Sequence, residues 1–299
     1  MQKPTILLLA AGMGSRYGGL KQLDTIGPNG ETMIDYAVYD AIQAGFDKVV
    51  FVIRESFAEE FRQKVSDKFK DKIQVDFAFQ SMEVSIPGVS IVPQREKPWG
   101  TGHAVLVAKD LINTPFAVAN ADDFYGRSSY KSMADFLMKE VKPGHYSMIG
   151  FELGKTLSTN GTVSRGVCQT NERGLLQSVL ERKKIAKDAQ GVFDLEGGQR
   201  VDLGDKELVS MNLWGFHPEF FQDLSIYFTQ FVKANLSNPR AEFYIPLVVN
   251  KLLLSKEATV AMIPSTAQWH GVTYQEDKLA VQNALKELYE VGEYPARLW

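Results

Sequence analysis

The chain has 299 residues, 44% of them hydrophobic and 23% charged, with a formal net charge of −3. That is enough apolar material for a sizeable core. The near-balanced charge does not suggest nucleic acid or an anionic membrane as the main partner, although a phosphate-rich small ligand needs only a local basic site. The single cysteine, Cys168, excludes an intramolecular disulfide framework and points to a reducing cytoplasm; it reads as a buried small hydrophobe, not a nucleophile.

In chain order, residues 6–10 read as a fully buried strand, too short to span a membrane. Met33, Ile34, Ala37, Val38, Ala41 and Ile42 form one helical stripe, which Gly45 ends. Residues 48–53 (KVVFVI) are a second buried strand, followed by a charged amphipathic helix to about Phe69. Residues 73–80 alternate like a strand, 101–112 look helical, and 115–123 form an apolar strand ending in carboxylates. Strands alternating with helices at this spacing predict a layered α/β fold with a largely parallel sheet. From about Tyr146 the pattern becomes strand-rich, with a hairpin expected at Asn171–Gly174 and a loop or loose hairpin over 183–207. Helices are expected again at about 218–235, 240–254 and 275–291. No internal repeat or hexapeptide array is present. The chain is therefore expected to be one domain, with a first half (1–145), a second half (146–270) and a helical C-terminal extension (271–299).

The first strand runs into LLLAAGMGSRYGGLKQL, residues 7–23. A strand that ends in glycines ahead of a helix presents backbone N–H groups to an anion. Gly12 and Gly14 remove side chains that would block its approach, and Arg16 and Lys21 add a forked donor and a point charge. The Walker pattern is absent. A dinucleotide fingerprint fits poorly, because Tyr17 stands where a third small residue is needed, and at the distance where an acid is wanted the chain is still in the helix, the next strand ending only at Arg54 and Glu55.

LAAGMGSR with GLKQL resembles the signature of the sugar-1-phosphate nucleotidyltransferases, L-A-A-G-x-G-T/S-R followed by Pro-Lys, with Leu20 in the place of that proline. The resemblance implies a Rossmann-like three-layer sandwich with a mostly parallel central sheet (GT-A-like). It also implies that Leu9, Ala10, Ala11, Gly12, Gly14, Ser15 and Arg16 hold a nucleoside triphosphate, with Lys21 near its phosphates. Three further stretches follow in the family's order. QREKPWGTGHA (94–104) resembles the base-reading segment of the uridylyltransferase branch, with one extra residue between Gln94 and Gly100; it implies that Gln94, Gly100 and Thr101 read a pyrimidine. Thr101 would also suit a plain helix N-cap. VANADDFYG (118–126) resembles the Asn-Gly-Asp segment, which makes Asp122 the Mg²⁺ ligand and Asp123 its neighbour on the sugar-phosphate side. SRGVC…LLQSVLERKK resembles Tyr-Gly-Val…Glu-Lys-Pro, and SMNLWGF resembles Asn-x-Gly-Ile-Tyr. Gly166, Glu181, Arg182, Lys183 and Asn212 are thereby implied at the sugar phosphate, with either Arg182 or Lys183 meeting it.

QWHGVTYQEDK (268–278) resembles Trp-Phe-Asp-x-Gly-Thr-Pro-Glu-Asp but carries Gly271 where the second metal-binding aspartate belongs. His270 or a water would take that place, or the metal is held differently. The reaction implied is NTP plus sugar 1-phosphate giving NDP-sugar and pyrophosphate, with UTP or dTTP favoured, in a cytoplasmic enzyme whose oligomeric state stays open. Two other readings remain. One is a non-catalytic nucleotide or nucleotide-sugar sensor, suggested by Gly271. The other is a CTP:phosphocholine-type cytidylyltransferase, for which Trp99, Trp214 and Trp269 would have to supply an aromatic cage.

Overall fold

The computed structural model describes residues 2–12, 24–89 and 94–299. The first half contains β1 (Thr5–Leu9), α1 (Met33–Ala44), β2 (Lys48–Ile53), α2 (Ala58–Lys64), β3 (Gln74–Phe79), α3 (Thr101–Leu106), β4 (Phe116–Asn120), β5 (Asp123–Phe124) and α4 (Arg127–Lys139). The second contains β6 (His145–Glu152), β7 (Val163–Thr170), β8 (Leu176–Asp188), β9 (Gly191–Asp194), β10 (Val201–Leu203), β11 (Leu208–Phe216), α5 (Phe220–Ala234), α6 (Ile245–Ser255), β12 (Thr259–Pro264), β13 (His270–Gly271) and α7 (Asp277–Glu290). No described helix is long and apolar enough to cross a membrane.

One sheet runs through both halves in the order β10-β9-β8-β7-β11-β4-β1-β2-β3, with β6 on β11 and β12 on β6. The β4-β1-β2-β3 part is parallel. From β11 outward most pairs are antiparallel, β12 with β6 being the parallel exception. Strand residues of β1 alternate between two cores. Ile6 and Leu8 pack with α1 and α4 on one face, while Leu7 packs with α3, α5 and α6 on the other. A strand buried on both sides must be apolar throughout, which is why TILLL reads as a continuous hydrophobic run. The result is three layers.

Helix α1 shows how the local sequence sets its limits. Thr32 Oγ1 accepts from the Asp35 amide (3.3 Å) and Asp35 Oδ2 accepts from the Thr32 amide (2.8 Å), a reciprocal cap. Gly45 ends the helix at φ +103°, a conformation that penalises any Cβ. Two expectations are corrected: the helix expected over 101–112 ends at Leu106, and the one expected from about 240 begins at Ile245. Of the loop or loose hairpin expected over 183–207, the hairpin forms: β8 continues to Asp188 and turns back into β9, which pairs with β10. The C-terminal α7 packs Val281 and Leu285 with Ile26, Met33 and Tyr36, and Lys278 meets Asp24 at 2.5 Å. It thereby fixes the chain entering α1. Thr32→Ala should cost about 1 kcal/mol of stability through loss of the cap, read as a lower urea midpoint with an unchanged slope; an unchanged midpoint would refute the assignment.

Candidate active site

Parallel pairing sets the site. Leu9 of β1 lies opposite Asn120 of β4, and the Ala121 amide bonds the Leu9 carbonyl (3.1 Å). The chain leaving β1 at Ala10, Ala11 and Gly12 therefore emerges beside the acidic turn leaving β4. Ala10 and Ala11 are buried and Gly12 is exposed. This is the carboxyl edge of a β3-β2-β1-β4 arrangement, where the strand order reverses and α/β folds bind ligands. Gly14, Ser15, Arg16 and Lys21 lie outside the described residues.

A cleft of about 940 Å³ opens at this edge and collects candidates from distant stretches: Thr101, Asp122, Asp123, Gly166, Glu181, Lys183 and Asn212. Its wall is held by a chain of side-chain hydrogen bonds. Trp214 Nε1 donates to Asn212 Oδ1 (3.2 Å), Asn212 Nδ2 to Asn120 Oδ1 (2.7 Å), and Asn120 Nδ2 to Asp123 Oδ2 (2.8 Å). The Tyr125 hydroxyl lies 2.7 Å from the Met211 carbonyl and accepts from the Asn120 amide (3.1 Å). Asn212 reaches its place because β11 bulges between Ser210 and Trp214, leaving Asn212 at φ +67°. Asparagine tolerates that region better than most residues.

On the far side, β7 and β8 pair with Gly166 opposite Glu181. Gly166 lets this wall close up, since a Cβ there would lie 2.8 Å from Val179 Cγ1. Strand alternation puts Glu181 and Lys183 in the cleft and turns Arg182 out of it. Arg182 instead meets the fully buried Asp194 at 3.1 Å, so the structure does not bring it to the other candidates. Desolvation pushes the Glu181 carboxyl up, partly offset by Arg165 and Lys183. Arg165, Asn120, Lys97, Glu242 and Tyr244 also border the cleft, and sequence reasoning did not single them out. For Arg165 a signal was present, because it stands where the Tyr-Gly-Val stretch has tyrosine.

Gly100 takes φ +97°, and a Cβ on it would lie 2.8 Å from the Phe243 carbonyl oxygen. Gln80 Nε2 donates to the Gly100 carbonyl (3.0 Å). Thr101 does not cap its helix. Gly100 is the N-cap, without a side-chain cap bond, and Thr101 Oγ1 accepts from the Ile245 amide at 3.2 Å. Gln94 is exposed and does not border the cleft. No described aromatic cage is present: Trp99 and Trp214 are buried at 1% and 0% exposure. Only Trp269 of the three borders the cleft, and the Arg165 guanidinium already covers its ring at 4.9 Å. Burial pushes the Cys168 thiol up to about 12, which suits the hydrophobe reading.

Asp122 and Asp123 supply hard oxygen donors, and no described group of three or more His, Cys, Asp and Glu could cage a metal alone. That donor set fits Mg²⁺, which takes one or two carboxylates and completes its shell with phosphate and water. Gly271 pairs with Asp123 across β13 and β5, beside the acidic turn. His270 does not border the cleft; its ring packs 5.8 Å from Phe124, and burial pulls its imidazole down to about 4.

A layered α/β sheet with an acidic turn at its switch point and a mixed sheet closing a polar cleft defines a nucleotidyltransferase fold. The family model described as nucleotidyl transferase matches residues 6–286, and the chain belongs to that family of enzymes. No curated protein matches it significantly. Similar solved structures include a UDP-glucose pyrophosphorylase complexed with UDP-glucose (19% identity, TM-score 0.59, covering 96% of this chain and 99% of that one). Another is the inositol-1-phosphate CTP transferase from T. maritima (12%, 0.60, 95% and 97%). A third is the UDP-glucose pyrophosphorylase from Acinetobacter baumanii (14%, 0.59, 97% and 98%). At these identities the likeness is one of fold.

His103 is buried on α3. It stacks on Phe228 at 4.6 Å, and burial, then Arg95, pull its imidazole down from 6.5 to about 4. Between those values the unfolded chain binds a proton that the folded protein does not. The contribution is therefore complete above pH 6.5 and is lost as pH falls toward 4. The stability of the wild type relative to His103→Gln should accordingly decline across that window in urea titrations and stay constant above pH 7; a pH-independent difference would show that the ring is not held neutral.

Proposed function

We propose that this protein transfers a nucleotidyl group from a nucleoside triphosphate, UTP or dTTP by preference, to a sugar 1-phosphate, releasing pyrophosphate. The observation that carries the reading is the convergence of Thr101, Asp122, Gly166, Glu181, Lys183 and Asn212, spread over 112 residue positions from 101 to 212, on one cleft at the carboxyl edge of β1 and β4. Pyrimidine preference rests on the 94–104 stretch, where backbone N–H and C=O groups at Gly100 and Thr101 can meet both a carbonyl and a ring N–H.

An acceptor phosphate oxygen forms a bond to the α-phosphorus while the bond from that phosphorus to the bridging oxygen breaks, and the electron pair leaves with pyrophosphate. The nucleophile is already an anion, so no general base is needed. The barrier lies in aligning two polyanions and spreading charge at phosphorus. The backbone of Leu9–Gly12 with Gly14, Ser15, Arg16 and Lys21 would cradle the triphosphate. Lys183 would offset the acceptor phosphate, Glu181 and Asn212 would take sugar hydroxyls, and Asp123 would hold the wall to which Asn212 is tied. Asp122 would hold Mg²⁺, which when bound neutralises phosphate charge. Small substrates and a reducing cytoplasmic setting suit the composition; neither nucleic acid nor membrane is needed as a partner.

A panel crossing four NTPs with glucose, N-acetylglucosamine, mannose and N-acetylmuramate 1-phosphates, read by pyrophosphate release, tests this. One combination should turn over, and Asp122→Asn should lower its rate on the order of a hundredfold with little change in melting temperature. Wild-type rates in that variant would contradict the assignment. Gly271 favours one rival, a non-catalytic nucleotide sensor, which would bind UTP in calorimetry yet release no pyrophosphate.

A further inference from the structure

One charged group at the floor of the cleft has no role in that scheme. Arg165, on β7 just before Gly166, is 7% exposed and borders both the main cleft and an adjoining cavity of about 260 Å³. Its Nε donates to Thr156 Oγ1 (3.1 Å), its Nη1 to the Ser164 carbonyl (2.8 Å) and its Nη2 to the Thr156 carbonyl. All three acceptors are neutral, and they use three of the five guanidinium N–H donors. Asp123, Glu181 and Asp277 act on the charge from further away. A buried cation whose direct partners are neutral is costly, so the fold holds it there against its desolvation.

Trp269 supplies the support. Its ring lies 4.9 Å beneath the Arg165 Cζ, while its own Nε1 is buried without a hydrogen-bond partner among the described residues, which is costly. The indole is thus not placed to satisfy its own N–H. Gly271 belongs to the same arrangement, because a Cβ there would lie 2.4 Å from Trp269 Cη2 and Cζ2 and 3.0 Å from Asp123 Oδ1. The indole fills the space that a side chain at 271 would enter. Where the family resemblance implies a second carboxylate, this chain has no side chain, and the indole that takes the space carries the Arg165 guanidinium over its ring.

We propose that Arg165, backed by Trp269 and made possible by Gly271, is the residue that receives an oxyanion of the acceptor's phosphate at the cleft floor. The proposal rests on the nucleotidyl transfer proposed above. A fixed guanidinium fork suits phosphate oxygens better than a flexible ammonium does, which gives Arg165 the orienting role and leaves Lys183 at the rim as a point charge.

The test is calorimetric titration of the sugar 1-phosphates of the panel, inorganic phosphate and, separately, UTP with magnesium into the wild type, Arg165→Lys, Arg165→Gln and Trp269→Phe. Arg165→Gln should weaken sugar-phosphate binding at least tenfold, and Arg165→Lys and Trp269→Phe should weaken it by smaller factors. UTP affinity should stay within twofold, and in turnover the KM for the sugar phosphate should rise while that for UTP does not. Unchanged sugar-phosphate affinity in Arg165→Gln overturns the proposal, as does an equal loss of UTP affinity. If Arg165→Gln fails to fold, unchanged affinity in both Arg165→Lys and Trp269→Phe overturns it. A wild type that binds none of the phosphate probes overturns it too. Binding through Arg165 without any pyrophosphate release would remove the proposed reaction and keep this phosphate site; turnover untouched in Arg165→Gln would do the reverse.

Discussion

The seam where β11 meets β4 is the constraint on which the cleft depends. Before its bulge β11 lies between β6 and β7; after it, between β6 and β4. The bulge at that switch turns Asn212 toward Asn120, and Asn120 toward Asp123. One irregular strand thus joins the parallel half of the sheet to the antiparallel half and ties the acidic turn in the same step. Backbone at φ +67° for a non-glycine residue costs on the order of 1 kcal/mol, and the four-residue chain from Trp214 to Asp123 is what holds it.

In the proposed reaction the two sheet halves divide the chemistry between them. Parallel strands send their loops out at one edge, which suits the long polyphosphate of a nucleotide. The antiparallel ribbon of β7 and β8 brings Arg165, Gly166, Glu181 and Lys183 to the cleft, which suits an acceptor with several polar groups. The reaction between them needs alignment and charge neutralisation, so the site is built from backbone, fixed amides and cations in place of a tuned acid and base. Trp269 fits that pattern as a platform, at the cost of its own unpaired N–H.

Much of the parallel half was legible because its strands are buried on both faces and its helices carry continuous stripes. Met33, Ile34, Ala37, Val38 and Ala41 are all buried, as the stripe required, and Gly45 ends α1. The ribbons beyond Lys183 were legible only as a loop or loose hairpin. With one side in solvent, β8, β9 and β10 carry charges such as Lys187, Asp188 and Asp202 where a core strand would carry apolar residues, and polar ribbons read as loop. Motif spacing singled out Asp122, Glu181 and Asn212, which the fold brings to one cleft. It could not choose between Arg182 and Lys183, because the period of two in a strand gives two faces and only the pairing of Gly166 with Glu181 says which one is inside. Arg165 escaped notice because its partner, Trp269, is more than a hundred positions away.

The most direct measurement is a crystal structure of the protein with UTP and magnesium. The account predicts the triphosphate at the carboxyl edge of β1 and β4, the metal against Asp122 and the uracil beside Gly100 and Thr101. A triphosphate bound at the opposite edge of the sheet, in the cavity of about 430 Å³ bordered by Lys3, Lys48 and Lys109, or a metal remote from Asp122, would contradict it.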